Sequence, residues 1–232
     1  MNDIQKELRK YASPQKAKIL QGFFKTGPGE YGEGDVFIGV QVPFVRQVAK
    51  KFQDVSLKEA TCLLKSPIHE ERELALFILV FQFLRSDEKE REIIYKAYLK
   101  NTRYINNWDL VDLSAEKIIG PFLADKSKAP LIRLARSLSL WERRIAILST
   151  FYFIKNYEFK ETLKIAKILI GDPEDLIHKA VGWMLREVGK RDQASEEKFL
   201  KKYYEKMPRT MLRYAIERFS FARRKAYLEG RV

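Results

Sequence analysis

Apolar residues recur at intervals of three and four along almost the whole chain, and the pattern lapses mainly where Gly and Pro fall. This spacing predicts helices over 2–12, 14–24, 43–52, 56–66, 68–85, 87–104, 107–123, 128–138, 140–155, 158–170, 174–190, 195–206 and 208–228. Start signals accompany several of them: Ser13 before Pro14, Asp172 before Pro173, and Ser195 followed by Glu196 and Glu197. The expected fold is all-α.

The longer helices also align with one another. Placing EERELALF, NNWDLVDL, WERRIAIL, IHKAVGWM and LRYAIERF in register puts Glu73, Asp109, Arg144, Lys179 and Arg213 in one column, at steps of 36, 35, 35 and 34 residues. The two columns that follow hold Leu74, Leu110, Ile145, Ala180, Tyr214 and then Ala75, Val111, Ala146, Val181, Ala215. Adjacent small or apolar columns at a fixed period imply helix pairs that stack on their neighbours. The architecture expected is a right-handed α-α superhelix of HEAT-like repeats, a curved solenoid with a concave basic groove, in a single domain over 1–232. A non-repetitive helical bundle is the alternative.

One column breaks its own pattern. It contains Leu76, Asp112, Ile147, Gly182 and Ile216, so a carboxylate stands where the other repeats place an aliphatic residue or glycine. Its lost hydration must be offset by partners or by a use. Trp108 precedes Asp112 by four residues, which sets indole and carboxylate on one helix face, one turn apart. Trp141 and Trp183 fall in the next two repeats, and Gly182 beside Trp183 permits a close approach to the backbone. An indole in such a position either stacks on a base or fills the space between repeats.

Composition narrows the class of partner. The 232 residues carry 44 Lys and Arg against 31 Asp and Glu, a net charge of +13 spread along the chain, which suits a polyanion as well as simple solubility. Arg144, Lys179 and Arg213, in register, offer a line of cations to a phosphate backbone, although such residues also make ordinary solvated surface. A single cysteine, Cys62, and two histidines, His69 and His178, leave no Cys/His zinc cluster to assemble, so neither metal nor cofactor is expected. With no apolar leader and no long uncharged apolar stretch, the expected location is the cytoplasm, in association with the nucleoid if the source is bacterial, and no membrane partner is expected.

A carboxylate, indoles and an arginine suffice for a bond whose leaving group is already stable. An alkylated purine carries a positive charge and departs from its sugar as a neutral base. An ionised Asp can stabilise the oxocarbenium ion and orient water, while indole faces attract the cation. The set is sufficient for N-glycosidic cleavage without being specific to it.

With NNWDLVDLSAEKIIGPFL at 106–123, LWERRIAIL at 140–148 and AVGWMLREVGK at 180–190, the chain resembles the AlkD family of DNA alkylation repair proteins, which are HEAT-like-repeat DNA glycosylases. The resemblance runs from FFKTGPGEYGEGD and VFIGVQVPFVR to the C-terminal helices. It implies excision of cationic N3- and N7-alkylpurines from duplex DNA held on the concave face, without the usual kind of base-flipping pocket. Carried over by motif, Asp112 would be the catalytic carboxylate, Trp108 and Trp183 the aromatic cleft, and Arg144 the phosphate contact near the lesion. Arg46 and Arg186 would be further backbone contacts, alongside Lys179 and Arg213 of the basic line.

Two departures stand out. Phe23 occupies the place where relatives set a DNA-facing Tyr, which removes a hydroxyl, and the Gly-rich segment 26–35 looks like an insertion folded as a turn or short hairpin. Glu30, Glu33 and Asp35, with no GK[ST] after them, argue against a phosphate-binding loop there. Two other functions compete with a monomeric glycosylase: a non-catalytic binder of branched or distorted DNA, and a HEAT-type scaffold for an acidic protein. The Asp among aliphatic positions favours the enzyme.

Overall fold

In a computed structural model describing residues 1–232, the chain forms fifteen α-helices and three short 3-10 turns. The only bridge of β type joins Val36 to Ile68. Contacts group the chain into two compact units, Met1–Ser114 and Ala115–Val232.

The first unit holds α1 (Asp3–Arg9), α2 (Pro14–Phe23), α3 (Val42–Lys51), α4 (Leu57–Leu63), α5 (His69–Arg85) and α6 (Glu88–Lys100), and ends inside α7 (Trp108–Phe122). Its centre is α5, whose buried run from Leu74 to Val80 is apolar on every side, the signature of a helix packed all round. α3 and α4 both pack on it. The first turn of α5 is buried as well, although it reads His-Glu-Glu-Arg-Glu. Burial of that many ionisable groups requires partners, and most have them. Glu71 accepts from Arg9 at 2.6 Å, Gln5 at 2.8 Å and Ser66 at 2.6 Å. Glu70 accepts the backbone N–H groups of Ile38, Gly39 and Val40, and so pins the segment leading into α3. Gly39 makes that path possible: its φ is +80°, and a Cβ there would lie 2.0 Å from the Ser13 carbonyl oxygen.

The second unit contains α8 (Ala129–Ala135), α9 (Leu140–Ser149), α10 (Phe151–Lys155), α11 (Lys160–Ile168), α12 (Asp175–Gly189), α13 (Gln193–Tyr203), α14 (Arg209–Ala215) and α15 (Phe221–Leu228). Here α9 packs on α12 and α12 on α14. These are successive members of the 35-residue register, and in their shared columns Ile145, Ala146, Ala180, Val181 and Ala215 are buried while Tyr214 is exposed. The helical reading and the stacking of in-register helices therefore hold within this unit.

Several boundaries differ from the sequence reading, each for a local reason. The helix expected over 140–155 is interrupted at Thr150, whose hydroxyl donates to the Ile147 carbonyl at 2.6 Å and competes with the helical ladder. The helix expected over 208–228 becomes α14, a 3-10 turn at Ile216–Arg218, and α15, which Ser220 restarts as its N-cap. Asp172 does not start a helix; its carboxylate takes the Arg143 guanidinium at 2.6 Å instead. Asp192, not Ser195, caps α13. Segment 26–35 forms successive turns without hairpin strands, and Gly29 and Gly34 adopt positive φ.

Candidate active site

α7 begins immediately after Asn107, whose side-chain oxygen accepts the Trp108 N–H at 2.8 Å. The helix presents Trp108, Asp109 and Asp112 in its first five residues. Trp108 and Asp112 are both half-buried, one turn apart. The Trp108 ring stacks on Phe24 with centroids 5.3 Å apart and planes 17° from parallel, and the Phe23 ring meets it edge-on at 6.0 Å. Phe23 itself is 62 % exposed, so the structure brings an exposed aromatic and the predicted indole together at one edge of the first unit. Asp112 stands close to Tyr98, whose phenol is pushed upward chiefly by burial and further by the Asp112 charge. Tyr98 in turn bonds Ser114, 2.9 Å away, in the next turn of α7.

The other predicted residues of the first unit behave differently. Arg46, on α3, is exposed and lies over the Phe77 ring at 5.0 Å. Beside these groups is a network that the sequence reading did not anticipate. His69 is 1 % exposed, with Nδ1 3.0 Å from Asp35 and Nε2 2.8 Å from Asp109. Arg72 donates to the other Asp35 oxygen at 2.5 Å, and Asn107 donates to Asp35 at 3.0 Å. Burial opposes a charged imidazole, but Asp109 and Asp35 outweigh it and lift its pKa to about 9. For Asp35, burial acts upward, yet the bonds from His69, Arg72 and Asn107 hold its carboxyl below the usual range. The two carboxylates take opposite nitrogens of one ring, and no group of three or more His, Cys, Asp or Glu is arranged to hold a metal ion.

The signal for this network was present in the chain. Asp109 shares a repeat column with Glu73, and His69 opens the helix of that same repeat. Asp35 is the last residue of the Gly-rich segment and turns inward, so its charge is spent on structure.

In the second unit, Trp183 is half-buried, its Nε1–H donates to Glu187 at 3.3 Å, and Phe151 meets its ring at 5.7 Å. Gly182 does allow a close approach, by a neighbouring helix: a Cβ there would lie 2.4 Å from the Met211 carbonyl oxygen and 2.5 Å from the Tyr214 Cβ. The basic column divides three ways. Arg144 is only 5 % exposed and donates to the Leu176 carbonyl at 2.6 Å. Lys179 is half-buried and paired with Asp175 at 2.7 Å, whereas Arg213 is exposed. Arg186 forms an ion pair with Glu217, and its Nε is buried with no partner.

Comparison with known proteins identifies the family and the fold. The model of a family described as DNA alkylation repair enzyme matches residues 4–219, nearly the whole chain. The chain belongs to the DNA alkylation repair enzyme family. A solved structure described as a predicted DNA alkylation repair enzyme from Enterococcus faecalis is similar to it in fold, with a TM-score of 0.68 at 18 % identity, over 90 % of this chain and 97 % of that one. No curated protein matches the chain. Family membership makes DNA the partner and DNA alkylation repair the activity class. No helix is long and apolar enough to cross a membrane.

Proposed function

We propose that the chain is a monofunctional DNA glycosylase that hydrolyses the N-glycosidic bond of N3- and N7-alkylated purines in duplex DNA. The observation that carries this reading is a half-buried carboxylate, Asp112, one helical turn from the half-buried indole of Trp108, in a member of a DNA alkylation repair family.

The chemistry follows from the charge of the lesion. As the bond from C1′ to the purine nitrogen breaks, its electron pair passes to the base, which leaves neutral. Positive charge moves to the sugar. An ionised Asp112 stabilises that oxocarbenium ion and orients a water whose oxygen bonds to C1′ and whose proton passes to solvent. No general acid is required, because the leaving group is activated by its own alkylation. Trp108 and Trp183 would offer electron-rich faces to the cation. Arg213, Lys179, Arg186 and Arg46 would meet phosphates, with Arg144 supporting the lesion-side contact. We read the two compact units as one monomeric DNA-binding domain acting in the cytoplasm, on the nucleoid if the source is bacterial.

The test is release of N7-methylguanine or N3-methyladenine from methylated duplex DNA. Asp112→Asn should lower release about a hundredfold or more while DNA binding persists. Full activity in that variant would remove Asp112 from the mechanism. Tight binding without release from any alkylated substrate would instead describe a non-catalytic binder of distorted DNA.

A further inference from the structure

Asp35 closes the Gly-rich segment 26–35 and is only 6 % exposed. Both of its oxygens are occupied: Oδ1 accepts from Arg72 at 2.5 Å, while Oδ2 takes His69 Nδ1 and the Asn107 amide, each at 3.0 Å. The donors come from α5 and from the residue that precedes α7. Arg72 is itself fixed, donating to the Ser66 and Pro67 carbonyls at 3.1 and 3.2 Å. The segment that delivers Asp35 is pressed against the end of α2, where a Cβ on Gly32 would lie 2.3 Å from the Phe24 carbonyl oxygen.

Two routes lead from this carboxylate to the first turn of α7. On one, His69 turns its other nitrogen to Asp109 Oδ2 at 2.8 Å, and Asp109 Oδ1 accepts the Leu110 N–H at 2.8 Å. On the other, Asn107 gives its amide N–H to Asp35 and receives the Trp108 N–H on its amide oxygen at 2.8 Å. The first N–H groups of a helix have no partner within it, and two of them are received here by residues that answer to Asp35. The indole is supported as well as the backbone. The His69 ring lies 5.0 Å from Phe24, and Phe24 stacks on Trp108 at 5.3 Å. Phe37 fills the remaining side, 4.4 Å from His69 and 5.0 Å from Phe24.

We propose that Asp35 is a positioning residue, which through His69 and Asn107 holds the Trp108 indole, and the turn of α7 leading to Asp112, in the orientation used for base release. Burying so many charged groups gains little stability over packing apolar residues in their place. What the network supplies is geometry: Trp108 is fixed by its backbone through Asn107 and by its ring through Phe24, and both supports run back to one carboxylate. Precision matters there, since a shift of about 1 Å at a reacting group costs on the order of a hundredfold in rate. The effect on base release rests on the glycosylase reading; the placement of Trp108 does not.

The experiment compares the full chain with its Asp35→Asn variant. The substitution keeps the shape of the side chain but replaces one oxygen by an NH2 group, which donates and cannot accept, so Arg72 and the His69–Asn107 pair can no longer both be served. One readout is the indole N–H region of a proton–nitrogen correlation spectrum, in which the three tryptophans give separate signals. The Trp108 signal should move while those of Trp141 and Trp183, both in the second unit, stay in place. The other is single-turnover release of N3-methyladenine from methylated duplex DNA, measured beside duplex affinity. The rate constant should fall roughly tenfold or more with affinity within about twofold of wild type. Asn107→Ala cuts one route and spares the His69 and Arg72 pairs; it should move the same signal and lower the rate less. An unmoved Trp108 signal in both variants, or undiminished release in Asp35→Asn, would overturn the proposal. Equal displacement of all three indole signals would overturn it too, by making Asp35 a group the whole fold needs. If the wild type releases no base, the glycosylase reading fails, and the Trp108 signal alone decides the role of Asp35.

Discussion

His69 Nε2 lies 2.8 Å from Asp109 Oδ2, joining the first residue of α5 to the first turn of α7 in a part-buried ion pair. Asp35 completes the arrangement on the other nitrogen. Asp109 is three residues from Asp112 and adjacent to Trp108, so this pair sets the position from which the candidate catalytic turn departs. Its strength depends on the imidazole staying charged.

Stability should therefore fall at alkaline pH. The folded-state pKa of His69, about 9, lies above the ordinary 6.5, so its contribution is complete below about 6.5 and is lost as pH rises through 9. The interval of 2.5 units corresponds to roughly 3 kcal/mol. Denaturant unfolding of wild type and His69→Gln should show a large difference at pH 6 that shrinks towards pH 9.5. A constant difference across that range would mean that the ring is held neutral.

Glu196 should also weaken the fold as pH rises, but through a different window and by a penalty instead of a lost gain. Burial, aided by Glu197 and opposed by Arg186, raises its carboxyl to about 8, and its Oε1 has no partner. Ionisation thus destabilises the fold as pH rises from about 4.5, with the full penalty above 8. Glu196→Gln should stabilise the protein by a few kcal/mol at pH 8.5 and leave it unchanged at pH 4, read from unfolding midpoints. A stabilisation independent of pH would point to packing instead.

Gly182→Ala is expected to destabilise by about 1–3 kcal/mol through overpacking. The obstructing atoms are a backbone oxygen of Met211 and the Cβ of Tyr214, neither of which can rotate away. A melting temperature equal to wild type would show that α14 shifts freely against α12.

Arginines of one repeat column should fail in different ways. Arg213→Ala removes an exposed cation; it should reduce the salt dependence of DNA affinity by about one unit of slope with no change in melting temperature. Arg144→Ala deletes a buried donor and leaves the Leu176 carbonyl without it, so stability should drop by about 1–3 kcal/mol. Circular dichroism melts beside filter-binding isotherms separate the two effects. Equal salt slopes in wild type and Arg213→Ala would remove Arg213 from the phosphate contacts.

The chain's own pattern determined its helices, the stacking register of α9, α12 and α14, and the pairing of Trp108 with Asp112 on one face of α7. All of these are periodicities of three to four residues or of about 35, and a period survives in the sequence as spacing. Breaks such as those at Thr150 and Ser220 were not legible there, because a hydroxyl competing for a backbone group leaves the apolar spacing unchanged. Only the tertiary structure decided which charges face water. Arg144 and Arg213 share a column, yet one is buried beside Leu176 and the other is exposed. Asp35, His69, Glu73 and Asp109 come from three separate segments and acquire their chemistry from one another. A side chain's charge state depends on burial and on neighbours distant in sequence, and the linear chain records neither.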